Sequence, residues 1–248
     1  MPEDAVVVGA TGAMGSAIVA ALAERGLRVV AVARSADELA RLRDRHPGVV
    51  TCPADIAQNQ AIEDISSVLE NFVRMAVFAA GLPVRGSVDT TDPDDLVMGA
   101  NVKIAGTVRL LRGVREKMGK GSRFVALAGT LGIEPLPYEA GPGAINAGLF
   151  NLMRQISLLY GPKGVTVHTI APGPTETPRL QRILSNVAAE RGVSFDDVYS
   201  EYAGRTSLGR LGTIPEIVWA VTNLLEPEAD LLHGGVLHLD GGGLRGIY

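Results

Sequence analysis

Short apolar segments alternate with longer amphipathic segments along most of this chain. The apolar segments do not alternate in polarity, which is typical of strands covered by helices on both faces of a parallel sheet. Between them, apolar residues recur at helical spacing, as at Ile145, Leu149 and Ile156. The pattern predicts an α/β fold with a doubly wound parallel sheet. Its predicted strands are AVVVGA, RVVAVA, MAVFAAG, SRFVALAG, VTVHTIAPG and GGVLHLDGG.

Residues 174–210 are the least regular part of the sequence, and they follow a predicted strand. A segment at that position can cover a ligand site at the carboxyl edge of the sheet, so we predict a lid there. No repeat, low-complexity tract or linker divides the 248 residues, a length that suits one large core. We therefore expect residues 1–248 to form a single Rossmann-like domain that includes its own ligand site.

Composition narrows the classes of partner. The formal charge is -4 and the charged residues are dispersed, so neither a nucleic-acid partner nor a membrane surface is predicted. The N-terminus lacks a basic leader, and no apolar run approaches the roughly 18 residues of a membrane span. The lone Cys52 cannot form an internal disulfide, and no histidine or cysteine spacing suggests a metal. We expect a cytoplasmic protein with small-molecule partners.

A glycine triplet follows the first predicted strand. In GATGAMGSAI, Gly9, Gly12 and Gly15 are three residues apart and open a predicted helix. Glycine permits a tight turn and close backbone approach there, and the free amides at a helix start attract a pyrophosphate. The triplet predicts a dinucleotide site; the alternative is a tight strand-to-helix turn that binds nothing.

The end of the second predicted strand indicates which dinucleotide the site binds. It carries Arg34 and Ser35 rather than an acidic residue. An aspartate would bind a ribose hydroxyl and repel an extra phosphate, whereas a guanidinium and a hydroxyl suit a 2′-phosphate. The cofactor predicted is NADPH/NADP rather than NADH, and the alternative is a solvated arginine before a helix.

Taken in order, the motifs resemble those of the short-chain dehydrogenase/reductase family, from Val6 to about Gly243. They include ADI ending at Ile56, AAG at 79–81, NVKIAGT from Asn101 and APG at 171–173. The glycine loop departs from the commonest version, with Ala13 where its middle glycine would lie. The resemblance implies a cofactor site made of Gly9, Thr11, Gly12, Ala13, Met14, Gly15, Arg34, Ser35, Asp55, Ile56, Ala79, Ala80, Gly81, Asn146, Pro172, Gly173, Thr175 and Thr177.

The resemblance breaks at the family's catalytic positions. Members use a tyrosine acid, a lysine one turn later that lowers the tyrosine pKa, and a serine on the preceding strand. Alignment without gaps places Pro142, Asn146 and Gly129 there, so the chain looks like an atypical member that lacks Ser-Tyr-Lys. Asn101 matches the fourth catalytic group. Asn146 can still bond a ribose hydroxyl, but it supplies no positive charge.

Other residues are candidates for the missing chemistry. Thr130 and Tyr138 lie in an irregular loop that can bring a hydroxyl to the carbonyl, and with Asn101 they form the candidate catalytic set. The alternative for Tyr138 is a simple loop residue. The predicted substrate pocket comprises Gly129, Pro142, Tyr199 and Tyr202, and glycines at 141 and 143 are expected to leave room for a flat substrate.

Two functions fit these observations. The first is an NADPH-dependent ketoreductase for a polycyclic aromatic polyketide of the angucyclinone type, whose own phenol polarises the ketone. Atypical ketoreductases of actinomycete antibiotic pathways have this character, and 19 arginines against 4 lysines suit a GC-rich bacterium. The second is a catalytically inactive NADPH-binding sensor or complex partner. By analogy with the family, the helices at 93–118 and 142–160 suggest a homodimer or homotetramer.

Overall fold

One parallel sheet forms the centre of the molecule. The computed structural model describes residues 2–82, 84 and 86–246. Its seven strands lie in the order β3-β2-β1-β4-β5-β6-β7, and every neighbouring pair is parallel. The predicted α/β class is therefore confirmed. The strands are β1 (Asp4–Val8), β2 (Arg28–Ala33), β3 (Val50–Pro53), β4 (Val73–Phe78), β5 (Arg123–Leu127), β6 (Thr166–Pro172) and β7 (Val236–Leu239).

Helices connect the strands and cover both faces of the sheet. Between α4 and α5, residues Asn101–Ala105 are π-helical, so the three segments follow one another without a break. Short 3-10 turns occupy Arg115–Lys117, Thr130–Gly132, Gly161–Lys163 and Pro227–Leu232. The helices are α1 (Ala13–Glu24), α2 (Ala36–Arg45), α3 (Ala61–Ser67), α4 (Pro93–Ala100), α5 (Gly106–Val114), α6 (Ala140–Tyr160), α7 (Pro178–Arg191), α8 (Phe195–Ala203) and α9 (Ile214–Asn223).

The two faces of the sheet explain why the strands are continuously apolar. In β1, Val6 and Val8 belong to the core on the side of α3, α5 and α6, whereas Ala5 and Val7 belong to the core on the side of α1 and α9. Each of these side chains is almost completely buried. Full burial of a valine stabilises the fold by roughly 1.5–3 kcal/mol, so a polar residue on either face would be costly.

The segment 174–210 contains two helices, α7 and α8. Thr177 caps α7 and Ser194 caps α8, each by accepting a backbone amide bond on its hydroxyl. The pair has a small core of its own, with Leu184 and Val198 buried between the helices. Both helices leave most residues exposed and are therefore mostly polar, which explains why the segment looked irregular in sequence.

The helix α6 begins earlier than its sequence suggests. Pro142 is compatible with a first helical position, yet the helix starts at Ala140. The amides of a first helical turn have no intrahelical acceptor, so a proline is tolerated anywhere in that turn. As expected, the helix ends before Gly161 and Pro162.

A buried carboxylate holds the amino ends of three strands together. Asp4 is 0% exposed and accepts hydrogen bonds from Arg28, the Glu70 amide and both the amide and side chain of Asn71. Burial opposes ionisation, but the bonds from Asn71 and Glu70 and the Arg28 charge outweigh it, so the pKa of Asp4 is below its usual value.

We expect Asp4→Asn to lower the free energy of unfolding at pH 7 by about 3 kcal/mol, because it leaves Arg28 without its charge partner. Glu70→Gln is the control; this carboxylate is 70% exposed, and we expect a change of about 1 kcal/mol or less. The pKa of Asp4 is lower in the folded state than in the unfolded state. Its contribution to the free energy of unfolding is therefore present above about pH 4 and is lost as the pH falls through the folded-state pKa. Urea unfolding at pH 7 and pH 3 measures both effects; an equal deficit at both pH values would contradict this account.

Candidate cofactor and active site

The predicted cofactor residues meet at the carboxyl edge of the sheet. They lie at or after the ends of β1, β2, β3, β4 and β6, with Asn146 on α6 after β5, and the parallel order brings those strand ends to one side. The turn after β1 is tied to its neighbours, because the Gly9 amide donates to Val32 O (2.9 Å) and the Ala79 amide donates to Val8 O (2.8 Å). This is where open α/β sheets bind ligands.

The glycine turn brings backbone into direct contact with backbone. Gly9 has φ +82°, and a Cβ there would lie 2.7 Å from the Ala80 nitrogen. A Cβ on Gly15 would lie 2.1 Å from the Gly9 oxygen. Helix α1 then starts at Ala13, after Gly12, with no side-chain cap and no acidic residue in its first turn. Its free amides and positive dipole end therefore suit a phosphate group.

An open cleft of about 390 Å³ lies beside the ends of β2 and β3. Ser35 accepts the Glu38 amide (3.2 Å) to cap α2, which leaves its hydroxyl hydrogen available to a ligand. Asp55 accepts the Ala57 amide (3.0 Å), and the following Ile56 is buried. The cleft suits an adenine with its ribose phosphate, and it is lined by Arg34, Pro53, Ala54, Asp55, Gln58, Gln60, Ala61 and Asp64.

At the other end of the site, Gly129 and Asn146 are neighbours. A Cβ on Gly129 would lie 3.0 Å from the Asn146 side-chain nitrogen. Asn146 is 5% exposed, and its amide oxygen has no hydrogen-bond partner among the described residues. Buried amides are almost always paired, so this oxygen indicates a site for a ligand donor. With the glycine turn and the cleft, it fits a nicotinamide dinucleotide.

The residues after β6 lead into α7, the first helix of the predicted lid. The Thr175 hydroxyl donates to Gly173 O (3.0 Å), and Thr177 accepts the Leu180 amide (3.1 Å) at the start of α7. The Gly173 amide donates to Leu239 O (3.0 Å). These bonds fix the path of residues 172–177 over the carboxyl edge, next to Gly81 and the Arg179 side chain that approaches it.

The three candidate catalytic residues differ in their surroundings. Asn101 donates to Ala57 O (3.1 Å) and accepts from the Arg109 guanidinium on both its side chain (2.9 Å) and its carbonyl (3.1 Å). Thr130 is half-buried and opens the turn directly after Gly129. Tyr138 is 78% exposed. Asn101 is thus held in a structural network and Tyr138 faces solvent, while Thr130 lies nearest the site; their catalytic roles stay predictions.

The tyrosines predicted in the substrate pocket pack within the lid. The Tyr199 hydroxyl donates to Glu176 (2.5 Å), and this bond raises the pKa of Tyr199. Tyr199 also lines a cavity of about 130 Å³ with residues of α7 and α8. The Arg205 guanidinium lies 4.1 Å from the centre of the Tyr202 ring. The structure thus joins both tyrosines to the lid rather than to Gly129, and their contact with substrate stays a prediction.

The expectation that glycines at 141 and 143 leave room for a substrate is corrected in part. A Cβ on Gly141 would lie 2.5 Å from Val84, so this glycine allows close packing of α6 and leaves no open space. Around Gly143 the nearest atom to such a Cβ is Leu131 O, at 3.5 Å. Pro142 is half-buried between them.

Sequence reasoning missed one buried cation. Lys103 is 5% exposed and lies in the π-helical segment after Asn101. Burial, and then repulsion by Arg179, lower the pKa of Lys103 to about 7. The available signal was a lysine within NVKIAG, where its helical neighbours are small or apolar. Perturbed ionisable groups of this kind cluster at functional sites.

Neither a membrane-spanning helix nor a cluster of metal ligands is present among the residues that the structure describes. Among the described helices, none is long and apolar enough to cross a bilayer. The same residues contain no group of three His, Cys, Asp or Glu side chains that could hold a metal ion.

Comparisons with known proteins match nearly the whole chain. A family model described as enoyl-(acyl carrier protein) reductase matches residues 9–243. Short-chain reductase protein NovJ of Streptomyces niveus is 30% identical, over 96% of this chain and 92% of NovJ. NADPH-dependent reductase BacG of Bacillus subtilis (strain 168) is 24% identical, over 98% of each chain. A variant of actinorhodin polyketide ketoreductase, solved with NADPH, superposes with a TM-score of 0.89 at 24% identity, over 99% of this chain and 98% of the other.

We expect Gly15→Ala to destabilise the protein by about 1–3 kcal/mol, because the new methyl overlaps the Gly9 carbonyl oxygen and the turn must shift. Gly12→Ala is the matched control. Its Cβ would lie 3.4 Å from the same oxygen, and we expect a loss of about 1 kcal/mol or less. Chemical unfolding without cofactor measures both; equal losses would show that the Gly9–Gly15 contact is not the constraint.

Proposed function

Because this chain belongs to the short-chain dehydrogenase/reductase family of oxidoreductases, we propose that it is an NADPH-dependent ketoreductase whose substrate is a polycyclic aromatic ketone of the angucyclinone type. One observation carries the proposal: Gly129 and Asn146 adjoin at a cofactor-ready edge, and Pro142 occupies the position aligned with the family's tyrosine acid. A reaction at this edge needs a carbonyl that is already polarised. The proposed counterpart is the angucyclinone ketoreductase of simocyclinone biosynthesis.

The cofactor assignment rests on the chain's own donors. The amides that open α1 bind the pyrophosphate, Arg34 and Ser35 bind the 2′-phosphate, and Asn146 binds the nicotinamide ribose. When bound, NADPH supplies a hydride to the ketone. Two relatives support this choice, since BacG is named as NADPH-dependent and the actinorhodin ketoreductase was solved with NADPH.

The substrate class follows from what the aligned positions lack. A positioned acid is typically worth about 10² to 10⁴ in rate, so its loss must be offset for efficient turnover. A peri hydroxyl of a polycyclic aromatic ketone forms an internal hydrogen bond to the carbonyl and stabilises the developing alkoxide. The protein then contributes positioning, with Thr130 next to Gly129 in the chain and the α7–α8 pair as the proposed lid over the edge. The proposed role in antibiotic biosynthesis is further supported by relatives named for polyketide and bacilysin pathways.

We also propose that the protein is a homodimer or homotetramer. The sequence suggested pairing through the helices predicted at 93–118 and 142–160. Exposed apolar side chains lie on the corresponding helices of the structure, namely Val97 and Met98 on α4 and Leu158 and Leu159 on α6. Exposed apolar side chains on helices are compatible with a contact between copies.

We expect NADPH oxidation, followed by its absorbance, when the purified protein meets hydroxylated polycyclic quinones. O-methylated versions of the same compounds are the controls, and we expect methylation of the peri hydroxyl to lower the rate by about 10² to 10⁴. Equal rates with both sets would contradict polarisation by the substrate. Tight NADPH binding without oxidation across the panel would favour the binding-protein alternative.

Two variants complete this experiment. Tyr138→Phe and Thr130→Val each remove one candidate hydroxyl, and we expect rates within a few-fold of the unmodified protein. A loss of turnover in either variant, with NADPH still bound, would assign the acid to that side chain.

We expect Arg34→Asp to weaken NADPH binding about 10- to 100-fold, because it exchanges a charge-assisted bond to the 2′-phosphate for repulsion. NADH binding should change little or improve. Arg43→Asp is the control, since Arg43 lies in the last turn of α2, away from the cleft. Fluorescence titration of the unmodified protein and both variants with both dinucleotides measures the six affinities; an equal loss for NADPH and NADH would overturn the phosphate assignment.

A further inference from the structure

Arg109, on α5, binds the segment that joins β3 to α3. Its Nε donates to the Asn59 side chain (2.9 Å), and its Nη1 donates to the Ile56 carbonyl oxygen (3.1 Å). The same Nη1 donates to the Asn101 carbonyl oxygen (3.1 Å), and Nη2 donates to the Asn101 side-chain oxygen (2.9 Å). One guanidinium therefore joins two segments that are distant in sequence.

Asn101 holds the same segment from the start of the π-helical turn. Its side-chain nitrogen donates to the Ala57 carbonyl oxygen (3.1 Å), while its side-chain oxygen accepts the bond from Arg109. Both polar atoms of the Asn101 side chain are therefore engaged in holding other parts of the fold. Together, Arg109 and Asn101 bind two consecutive carbonyl groups of the segment, those of Ile56 and Ala57.

The segment held in this way is a wall of the open cleft beside the ends of β2 and β3. Asp55, Gln58 and Gln60 line that cleft, where the proposed function places the adenine and its ribose phosphate. We call residues 55–60 the adenine wall. Ile56 is buried, and a Cβ on Gly106 of α5 would lie 3.1 Å from its Cγ1. Helix α5 therefore supports the adenine wall from its buried side, both by contact and through Arg109.

Few other bonds hold the adenine wall to the rest of the fold. Among the described residues, the hydrogen bonds that residues 55–60 form with elements distant in sequence all come from Arg109 and Asn101. The remaining bonds are local, such as the Gln58 amide to Asp55 O (2.9 Å). A guanidinium presents its donors in a fixed planar fork, so it binds several diverging acceptors at once, whereas a lysine ammonium is a point charge on a flexible stem.

We propose that Arg109 is a positioning residue for the cofactor, which acts through Asn101 and the carbonyl groups of Ile56 and Ala57 to preorganise the adenine wall. This inference rests on the cofactor assignment of the proposed function and not on its substrate. A segment that is already held in its bound conformation loses less conformational freedom when a ligand binds, which increases the affinity. Asn101 then serves the adenine half of the site rather than proton transfer.

The test measures binding of 2′,5′-ADP, which carries the adenine, its ribose and the 2′-phosphate, by calorimetry below the melting temperature of each variant. We expect Arg109→Met, which removes four hydrogen bonds, to weaken binding of 2′,5′-ADP and of NADPH by the same factor of about 10 to 100. Equal factors assign the loss to the adenine half. A side chain that only stabilised the fold would lower the melting temperature and leave both affinities unchanged.

Two companion variants define the comparison. Arg112→Met is the matched control, because Arg112 is an exposed arginine on the same helix, and we expect it to bind both ligands like the unmodified protein. Arg109→Lys keeps the positive charge but not the planar fork, so we expect a loss close to that of Arg109→Met. Full affinity in Arg109→Lys would show that the charge, rather than the geometry of the bonds, supports the cofactor, and would overturn the positioning role.

Asn59→Ala tests the same role if Arg109→Met does not fold. Asn59 is exposed and does not line the cleft, and its loss removes one of the four bonds of Arg109. We expect the affinity for 2′,5′-ADP to fall about two- to ten-fold. Hydrogen exchange without ligand gives a second readout: amides of residues 57–60 should exchange faster in Asn59→Ala, while those of residues 9–15 should not change.

The outcomes separate this inference from the proposed function. If the unmodified protein binds 2′,5′-ADP, and Asn59→Ala and any folded Arg109→Met bind it equally tightly, only the positioning role is overturned. If the unmodified protein binds neither 2′,5′-ADP nor NADPH, the cofactor assignment fails and the positioning role fails with it. If the protein reduces no ketone in the panel but shows the expected losses of affinity, the positioning role stands and the proposed substrate does not.

Discussion

The site depends on one contact between backbone segments at the carboxyl edge of the sheet. The turn after β1 lies so close to the end of β4 that a Cβ on Gly9 would be 2.7 Å from the Ala80 nitrogen. The same turn receives the start of α1, since a Cβ on Gly15 would be 2.1 Å from the Gly9 oxygen. These approaches aim the free amides of α1 along the edge. They also fix Gly81 and Leu82, against which the Arg179 side chain of the lid is placed.

Much of this frame was predictable because it is encoded locally. Continuous apolar runs such as Val6–Val8 are typical of strands covered on both faces, and a glycine triplet between a strand and a helix is typical of a dinucleotide site. The lid helices were missed because α7 and α8 cover only a small core around Leu184 and Val198 and expose the rest. The reading of Gly141 failed for a different reason: what fills the space beside a glycine is set by tertiary contact, here with Val84.

The candidate site likewise has a part that was predicted from the sequence and a part that was not. The family alignment assigned positions 129 and 146 to the catalytic serine and lysine, and in the structure a Cβ of Gly129 would lie 3.0 Å from the Asn146 side-chain nitrogen. By contrast, the alignment carries no information on Lys103, because no family motif assigns a lysine two residues after the asparagine. Its side chain is buried within the π-helical segment from Asn101, and its pKa is lowered first by that burial and then by an arginine 76 positions later in sequence. Both are properties of the assembled fold.

Reduction at this edge would create a negative charge on the carbonyl oxygen. An alkoxide that forms away from water requires positive charge or a donor near its oxygen, whichever residue provides it. In this chain Asn146 carries no charge, and its buried amide oxygen has no partner among the described residues, which suits a ribose hydroxyl. A positive charge does lie on the neighbouring helix, at Lys103, but burial and then repulsion by Arg179 lower the pKa of that lysine. The proposed substrate, with its own polarising hydroxyl, would meet the demand from its side of the reaction.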